Sequence, residues 1–177
     1  MLPKLTLVLG GAASGKSVFA ERLVESANTP LVYIATAAAH DQEMKTKIAR
    51  HQARRNETWR TLEAPRNTAA ALADVQAHET VLFDCATLWL TNHLIAMSHI
   101  ADEETRLIKA LHDCKAPVVI VSNEVGGGIV PDNAQARAFR EAQGKLNQRL
   151  AREAGLVVTV MAGLPMVLKG QLPTGLA

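Results

Sequence analysis

The sequence predicts an α/β protein in which a mostly parallel β-sheet is flanked by helices. Short apolar runs rich in Val, Ile and Leu alternate with segments of helical spacing along the 177 residues, which is typical of a parallel sheet covered on both faces. A glycine-rich turn separates the first apolar run from the first helix. No linker or repeat interrupts the pattern, so we expect one folded domain over residues 1–170 and a flexible tail over residues 171–177.

The glycine-rich turn follows the apolar run Leu5–Leu9 and precedes an amphipathic helix over Ser17–Ser26. It reads Gly10-Gly11-Ala12-Ala13-Ser14-Gly15-Lys16-Ser17, which matches the pattern G-x-x-x-x-G-K-[ST] of phosphate-binding loops (P-loops). Glycines let successive backbone N–H groups face an anion, while Lys16 can reach the β- and γ-phosphates. The spacing differs from the G-x-G-x-x-G fingerprint of dinucleotide sites. The turn therefore predicts a P-loop NTPase fold with a nucleoside triphosphate site and Lys16 as a catalytic residue.

The later strands and helices are predicted from apolar runs, helical spacing and the turn residues between them. The predicted strands are Leu31–Ala35, the short edge strand Trp59–Ala64, Thr80–Asp84, Pro117–Ser122 and, as the last strand, Leu156–Met161. The predicted helices are Asp41–Arg55, Asn67–Gln76, Ala86–Met97, Asp102–Cys114 and Asn133–Ala154. Ligands of parallel sheets bind beyond the carboxyl ends of the strands. We therefore expect Gly10, Ala35, Asp84 and Glu124, which lie at or just beyond such ends, to border one crevice.

An acidic residue at the end of the third buried strand, Asp84, is a candidate metal ligand. Phosphoryl transfer uses a carboxylate in this position to hold the Mg²⁺ ion that neutralises the phosphates. An Asp after an apolar run is otherwise a common turn residue, and the P-loop upstream favours the metal-binding interpretation. We predict that Ser17 and Asp84 bind Mg²⁺ together with a nucleoside triphosphate.

The predicted helix Asp41–Arg55 is poor in apolar residues and rich in cations. Lys47, His51 and Arg55 are four residues apart and share one helical face. A solvated charged face is the default explanation for such a helix. The alternative is a lid that carries the cations and the imidazole towards the triphosphate.

Composition argues against several classes of partner. The net charge is +2 and only 3% of residues are aromatic, so nucleic acid is not an expected partner. No apolar stretch is long enough for a membrane span, and the apolar N-terminal run is too short for a signal peptide. Cys85 and Cys114 have no metal-ligand spacing around them, which indicates buried reduced thiols and a cytoplasmic protein.

Several motifs together resemble one family. They are Gly10–Ser17, Tyr33-Ile34-Ala35-Thr36, Asp41-x-Glu43-Met44, Ile48-x-x-His51-x-x-x-Arg55-x-x-x-Trp59-x-Thr61-x-Glu63, Thr91-Asn92, Asn123-Glu124-Val125-Gly126-x-Gly128-Ile129-Val130-Pro131 and Asn147-Gln148-Arg149-Leu150-Ala151. The chain resembles the bifunctional adenosylcobinamide kinase/adenosylcobinamide-phosphate guanylyltransferases of cobalamin biosynthesis. The block from His51 to Glu63 and the block from Asn123 to Pro131 are the most specific parts of this resemblance.

The resemblance implies a RecA-like P-loop fold in one nucleotide-binding catalytic domain and a homo-oligomer, often a trimer. It implies phosphorylation of adenosylcobinamide by ATP or GTP, then transfer of GMP from GTP to adenosylcobinamide phosphate through a guanylylated His51. The implied nucleotide-binding residues are Gly10, Gly11, Ala12, Ala13, Ser14, Gly15, Lys16, Ser17, Ala35, Thr36, Ala37, Gln52, Ala53, Arg54, Arg55, Glu63 and Asp84. Two residues depart from the family pattern, because Ala13 stands where Arg is usual and Asp84 where Glu is common.

Two rival functions remain open from the sequence. A plain small-molecule kinase would use Lys16, Ser17 and Asp84 but would have no need of His51. A RecA-like ATPase module acting on nucleic acid or protein would be expected to show a basic or aromatic binding surface. Tight, steeply salt-dependent DNA binding would favour that second rival.

Overall fold

The computed structural model describes residues 2–37 and 59–176. Its strands are β1 (Leu5–Gly10), β2 (Leu31–Ala35), β3 (Trp59–Glu63), β4 (Thr80–Asp84), β5 (Val118–Asn123), β6 (Leu156–Met161) and β7 (Leu164–Lys169). Its helices are α1 (Lys16–Glu25), α2 (Thr68–Ala73), α3 (Ala86–Ile95), α4 (Ile100–Asp113) and α5 (Ala134–Glu153). The predicted helix Asp41–Arg55 lies outside the described residues.

The strands form one seven-stranded sheet in the order β3-β2-β4-β5-β1-β6-β7. All neighbouring pairs are parallel except β6 and β7, which pair antiparallel. This confirms the predicted α/β class with a mostly parallel sheet. It also places β3 at an edge of the sheet, which confirms the predicted short edge strand.

Side chains of the central strands point alternately to two cores, one on each face of the sheet. Val119 and Val121 belong to the core that α1 covers with Phe19 and Leu23. The other core lies against the helices on the opposite face, and its large side chains include Phe83, Ile120, Trp89, Leu107 and Leu146. Burial on both faces explains why these strands read as continuous apolar runs in the sequence.

The prediction that Leu156–Met161 is the last strand is wrong, because β7 follows it after a two-residue turn. Ala162 and Gly163, with φ angles of 52° and 79°, form this turn, and both central residues have the positive φ of a type I′ hairpin turn. The turn is inconspicuous in the sequence because Ala stands where Asn or Asp is usual. Pro165 further disguises the strand, since proline is confined to edge strands and strand ends.

The C-terminal segment continues beyond β7 along the core that α1 covers. Leu172 and Leu176 are partly buried against that core. In the part of the chain that the structure describes, no helix combines the length and the apolar character that crossing a membrane requires.

Candidate functional site

The P-loop lies at the carboxyl end of β1, where the chain turns from the centre of the sheet into α1. β1 pairs with β5 on one side and β6 on the other, so the loop starts from a fixed position. Lys16 Nζ folds back over the loop and donates a hydrogen bond to the Gly11 carbonyl oxygen at 3.1 Å. The ammonium group is therefore held above the concave side of the loop, where a P-loop lysine meets phosphate.

Two glycines of the P-loop are required by the geometry. A Cβ atom on Gly10 would lie 2.4 Å from Ser14 Oγ and 2.7 Å from the Val160 carbonyl oxygen, closer than non-bonded atoms approach. Gly15 has a φ angle of 95°, a left-handed conformation that side chains disfavour. Ser14 Oγ is buried with no hydrogen-bond partner among the described residues, which leaves a hydroxyl available inside the loop.

Asp84 faces Lys16 from the end of β4, two strands away from β1. Tyr33 donates a hydrogen bond from its hydroxyl to Asp84 Oδ2 at 3.2 Å. Burial lowers the pKa of Lys16, while the acidic groups of Cys85 and Asp84 act on it in the opposite direction. Burial also raises the pKa of Cys85 to about 12, so its thiol is neutral near pH 7 and Asp84 is the charge that acts on Lys16. The P-loop cation and the strand-end acid thus belong to one electrostatic site.

The ends of β2 and β4 are joined by Thr36, which is fully buried. Its Oγ1 donates to the Cys85 carbonyl oxygen at 2.8 Å and accepts from the Cys85 backbone N–H at 2.7 Å. Asn92 on α3 adds bonds from Nδ2 to the carbonyl oxygens of Thr36 and Pro65, at 2.8 and 2.9 Å. These contacts fix the position of Asp84, because Cys85 follows it directly. We call this group, Thr36, Cys85 and Asn92, the side-chain corner.

A buried polar network lies beneath the carboxyl end of β5. Ser122 donates from Oγ to Asn147 Oδ1 at 2.6 Å, and Gln143 Nε2 donates to both of those side chains. Thr87 Oγ1 accepts from the Asn123 backbone N–H at 2.8 Å. Asn147 belongs to a motif of the family resemblance, whereas Thr87 and Gln143 are not predicted from the sequence, because a polar residue on the buried face of a helix has no signature of its own in one sequence.

Two arginines near the start of α5 hold the loop that follows β5, and neither is predicted from the sequence. Arg137 donates to the carbonyl oxygens of Pro131 and Asp132 at 2.9 and 2.6 Å. Arg140 donates to the carbonyl oxygens of Ile129 and Gly126. Glu124 accepts from the Gly126 backbone N–H. The loop Glu124–Pro131 is thus held by side-chain hydrogen bonds to its backbone, although most of its own side chains are exposed.

The structure brings together most of the described residues that the sequence predicts for the site. At the carboxyl edge of the parallel strands lie Gly10, Gly11, Ala12, Ala13, Ser14, Gly15, Lys16, Ser17, Ala35, Thr36, Ala37 and Asp84. Glu63 lies at the same edge but four strands from β1, or about 19 Å at the usual strand spacing. Outside the described residues lie His51, Gln52, Ala53, Arg54 and Arg55.

The side-chain oxygens available as metal ligands suit a Mg²⁺ ion that binds together with a nucleotide better than a metal ion held by protein groups alone. Among the described residues, no three His, Cys, Asp or Glu side chains are grouped to hold a metal ion. Mg²⁺ in nucleotide sites takes one or two protein oxygens together with phosphate oxygens and water. The Ser17 hydroxyl and the Asp84 carboxylate are donors of that kind, so the residues present fit this ion.

Comparison with known proteins identifies the family. Residues 6–168 match the family model described as CobU, cobinamide kinase / cobinamide phosphate guanyltransferase. The chain belongs to this family. It is 44% identical over 168 residues to the bifunctional adenosylcobalamin biosynthesis protein CobP of Pseudomonas aeruginosa, covering 93% of this chain and 97% of that protein. It is 40% identical over 181 residues to CobU of Salmonella typhimurium, covering 93% of this chain and 99% of that protein.

Solved structures extend the comparison to the fold. The RadB recombinase superposes with a TM-score of 0.53 at 17% sequence identity, covering 89% of this chain and 74% of that chain. At such low identity the likeness concerns the fold alone. It confirms the RecA-like architecture expected from the sequence.

Proposed function

We propose that this chain is a transferase with two activities, adenosylcobinamide kinase and adenosylcobinamide-phosphate guanylyltransferase. The match to the family over residues 6–168 carries this proposal. The preformed P-loop, with Lys16 above it and Asp84 facing it, supports the nucleotide-dependent part of both reactions. Mg²⁺ is the proposed metal ion, and ATP and GTP are the proposed co-substrates.

In the proposed kinase reaction, the aminopropanol hydroxyl of adenosylcobinamide attacks the γ-phosphorus of the nucleotide. A new O–P bond forms, the bond to the β-phosphate oxygen breaks, the nucleoside diphosphate leaves, and the hydroxyl proton passes to solvent or to a basic group. Lys16 supplies a fixed positive charge to the β- and γ-phosphates, and the P-loop N–H groups orient them. When bound, Mg²⁺ neutralises phosphate charge, with Ser17 and Asp84 as its protein ligands.

In the proposed guanylyl transfer, a neutral His51 imidazole attacks the α-phosphorus of GTP. A P–N bond forms and pyrophosphate leaves. A phosphate oxygen of adenosylcobinamide phosphate then attacks the same phosphorus, the P–N bond breaks, and adenosylcobinamide-GDP forms with His51 regenerated. Covalent transfer separates the displacement into two steps, so the corrinoid and intact GTP need not occupy the site together. We infer nucleotide contacts from Gln52, Ala53, Arg54, Arg55 and Glu63 in this step.

The dimensions of the site agree with two activities that use one nucleotide site. The P-loop and Glu63 lie at the two ends of a strand-end edge about 19 Å long. A span of this length is greater than that of a triphosphate, which supports the proposal that the base of the nucleotide or a second substrate binds along the same edge.

The decisive test uses GTP labelled at the α-phosphate, followed by denaturing electrophoresis. Acid-labile, alkali-stable label on the protein is the behaviour expected of a phosphoramidate. His51→Ala should abolish this labelling and leave measurable phosphorylation of adenosylcobinamide, because the kinase step has no covalent acceptor. His78→Ala, at an exposed histidine outside the site, serves as the control and should label like the wild type. Persistent labelling of His51→Ala would place the nucleophile elsewhere.

The metal and the assembly have separate tests. Activity should disappear with a chelator and return with Mg²⁺, and Asp84→Asn should raise the Mg²⁺ concentration required for half-maximal rate. An unchanged Mg²⁺ requirement in Asp84→Asn would reduce Asp84 to a turn residue.

We also propose a cytoplasmic homo-trimer, and light scattering of the purified protein measures its mass directly.

A further inference from the structure

The hairpin formed by β6 and β7 lies against the P-loop, although nothing in the proposed reactions assigns it a role. The hairpin turn consists of Ala162 and Gly163, and Gly163 has a φ angle of 79°. β6 lies next to β1 and runs parallel to it. The turn that follows β6 therefore lies at the carboxyl edge of the sheet beside β1, where the P-loop begins.

One hydrogen bond and two close approaches of the backbone join the hairpin to the two ends of the P-loop. The Gly163 backbone N–H donates a hydrogen bond to the Ser14 carbonyl oxygen at 2.8 Å. A Cβ atom on Gly15 would lie 3.1 Å from Gly163 Cα, and one on Gly10 would lie 2.7 Å from the Val160 carbonyl oxygen. Both ends of the loop thus lie close to the backbone of the hairpin.

The bond from Gly163 determines the direction of one peptide group in the P-loop. In a trans peptide, the carbonyl oxygen and the following N–H point in opposite directions. Because Gly163 binds the Ser14 carbonyl oxygen, the following Gly15 N–H must point the other way, away from the hairpin. Anion-binding loops require successive N–H groups that point into the concavity. The hairpin turn can therefore orient the Gly15 N–H as a hydrogen-bond donor for phosphate without itself contacting the nucleotide.

We propose that Gly163 is a positioning residue for the phosphate site, acting through the Ser14–Gly15 peptide group. This inference rests on the proposed nucleotide-binding function. It predicts that disturbing the hairpin turn weakens GTP binding even though the turn lies outside the P-loop sequence. It also gives a reason for glycine at position 163, since an alanine Cβ would meet nothing within 4 Å there. The constraint is the positive φ that keeps the N–H aimed at Ser14.

The test measures the dissociation constant of GTP with Mg²⁺ by isothermal titration calorimetry, beside the melting temperature of each nucleotide-free variant. Gly163→Ala keeps the N–H but disfavours the positive φ, and we expect it to raise the dissociation constant about tenfold, equivalent to about 1.4 kcal/mol. Gly163→Pro removes the donor and should weaken binding further. Gly175→Ala is the matched control, since Gly175 has a φ angle of 88°, nothing lies within 4 Å of an added Cβ there, and the residue is outside the hairpin. Ala162→Gly retains the donor and should bind GTP like the wild type.

The outcomes separate positioning from stability. The expected result is weaker GTP binding in the Gly163 variants, with Gly175→Ala unchanged in affinity whatever its melting temperature. Folded Gly163→Ala and Gly163→Pro proteins that bind GTP like the wild type would overturn the positioning role and leave the proposed function intact. If Gly163→Pro does not fold, Gly163→Ala alone decides. Wild-type protein that binds no GTP would contradict the proposed function itself, and the positioning role with it.

Discussion

Two neighbouring parts of the strand-end edge are built in different ways. The P-loop is held by backbone groups, through the Gly163 N–H and the close approaches at Gly10 and Gly15. The side-chain corner is held by the Thr36 hydroxyl and the Asn92 amide, which bond to the backbone of Cys85 and Pro65. Asp84 lies between them and takes its position from the corner, although its charge acts on the P-loop lysine.

The difference explains how each part tolerates change. A loop held by close backbone packing requires glycine at the positions where a side chain would clash. Substitutions there act through local steric effects. A side-chain corner depends on buried donors and acceptors that must be satisfied, because an unpaired buried polar group costs about 1–3 kcal/mol. We therefore expect substitutions in the loop to affect nucleotide binding and substitutions in the corner to affect stability first.

The largest effect is expected for Lys16→Ala. Removing a positioned charge from the transferring phosphates typically costs about 10²-fold or more in rate, so both activities should fall together. Steady-state rates of adenosylcobinamide phosphorylation and of GMP transfer measure this. Lys109→Ala, at an exposed lysine on α4, is the control. Near-normal kinase turnover in Lys16→Ala would mean that the P-loop does not hold the triphosphate.

The next largest effect should distinguish two adjacent glycines. Gly10→Ala forces a contact of 2.7 Å with the Val160 carbonyl oxygen, whereas a Cβ atom on Gly11 meets nothing within 4 Å. We expect GTP affinity to fall about tenfold or more in Gly10→Ala and to change little in Gly11→Ala. Calorimetric titration with GTP and Mg²⁺ measures both. Equal affinities in the two variants would show that close backbone packing does not shape the loop.

A smaller effect, on stability, is expected for Thr36→Val. The substitution keeps the shape of the side chain but leaves the Cys85 N–H unpaired, while the Cys85 carbonyl oxygen keeps its bond from the Trp89 N–H. The free energy of unfolding should fall by about 1–3 kcal/mol, measured by urea titration. Thr6→Val is the matched control, because Thr6 is equally buried and its Oγ1 has no partner in the described part of the chain. An equally large loss of unfolding free energy in Thr6→Val would show that the hydrogen bonds of the side-chain corner do not account for the effect of Thr36→Val.

The smallest effect concerns His93, which follows Asn92 on α3 and packs against Trp89 with ring centroids 4.6 Å apart. Burial lowers the pKa of His93, so below the usual imidazole pKa of about 6.5 the unfolded chain binds the proton more readily. Stability should therefore fall as the pH is lowered from 7 to 5, and fall less in His93→Gln. Urea titrations across this range measure the slopes, with His78→Gln as the control. Identical slopes in the wild type and His93→Gln would contradict the prediction.

The sequence predicts the P-loop and its strand correctly because their requirements are local. Gly10, Gly15 and Lys16 occupy fixed positions in one short stretch, and each has a physical reason that can be stated without a structure. The position of Asp84 at the end of a strand is predicted in the same way, from an acid that ends an apolar run, whereas its role as a metal ligand stays a prediction. The structure confirms the strand ends that bring these residues to one edge.

The sequence does not predict the parts of the site that depend on distant residues. The family resemblance predicts that Thr36 contacts the nucleotide, and this stays a prediction, whereas the bonds of Thr36 to Cys85 depend on the pairing of β2 with β4. The hairpin was missed because Ala162 replaces the usual turn residue, and its contact with Ser14 spans nearly the whole chain. Such contacts leave no periodic or motif signal in a single sequence.

The start of α1 has one more consequence, for heat stability. Its N-cap is Gly15, which makes no side-chain capping bond, and its first turn carries no acidic residue. By contrast, Asn133 Oδ1 caps α5 by accepting from the Ala136 N–H at 2.7 Å. The proposed nucleotide would supply the missing cap with its own phosphate oxygens. Bound at 100 times its dissociation constant, it would add about 2.7 kcal/mol to the folded state, so the protein should withstand heating best when its substrate is present.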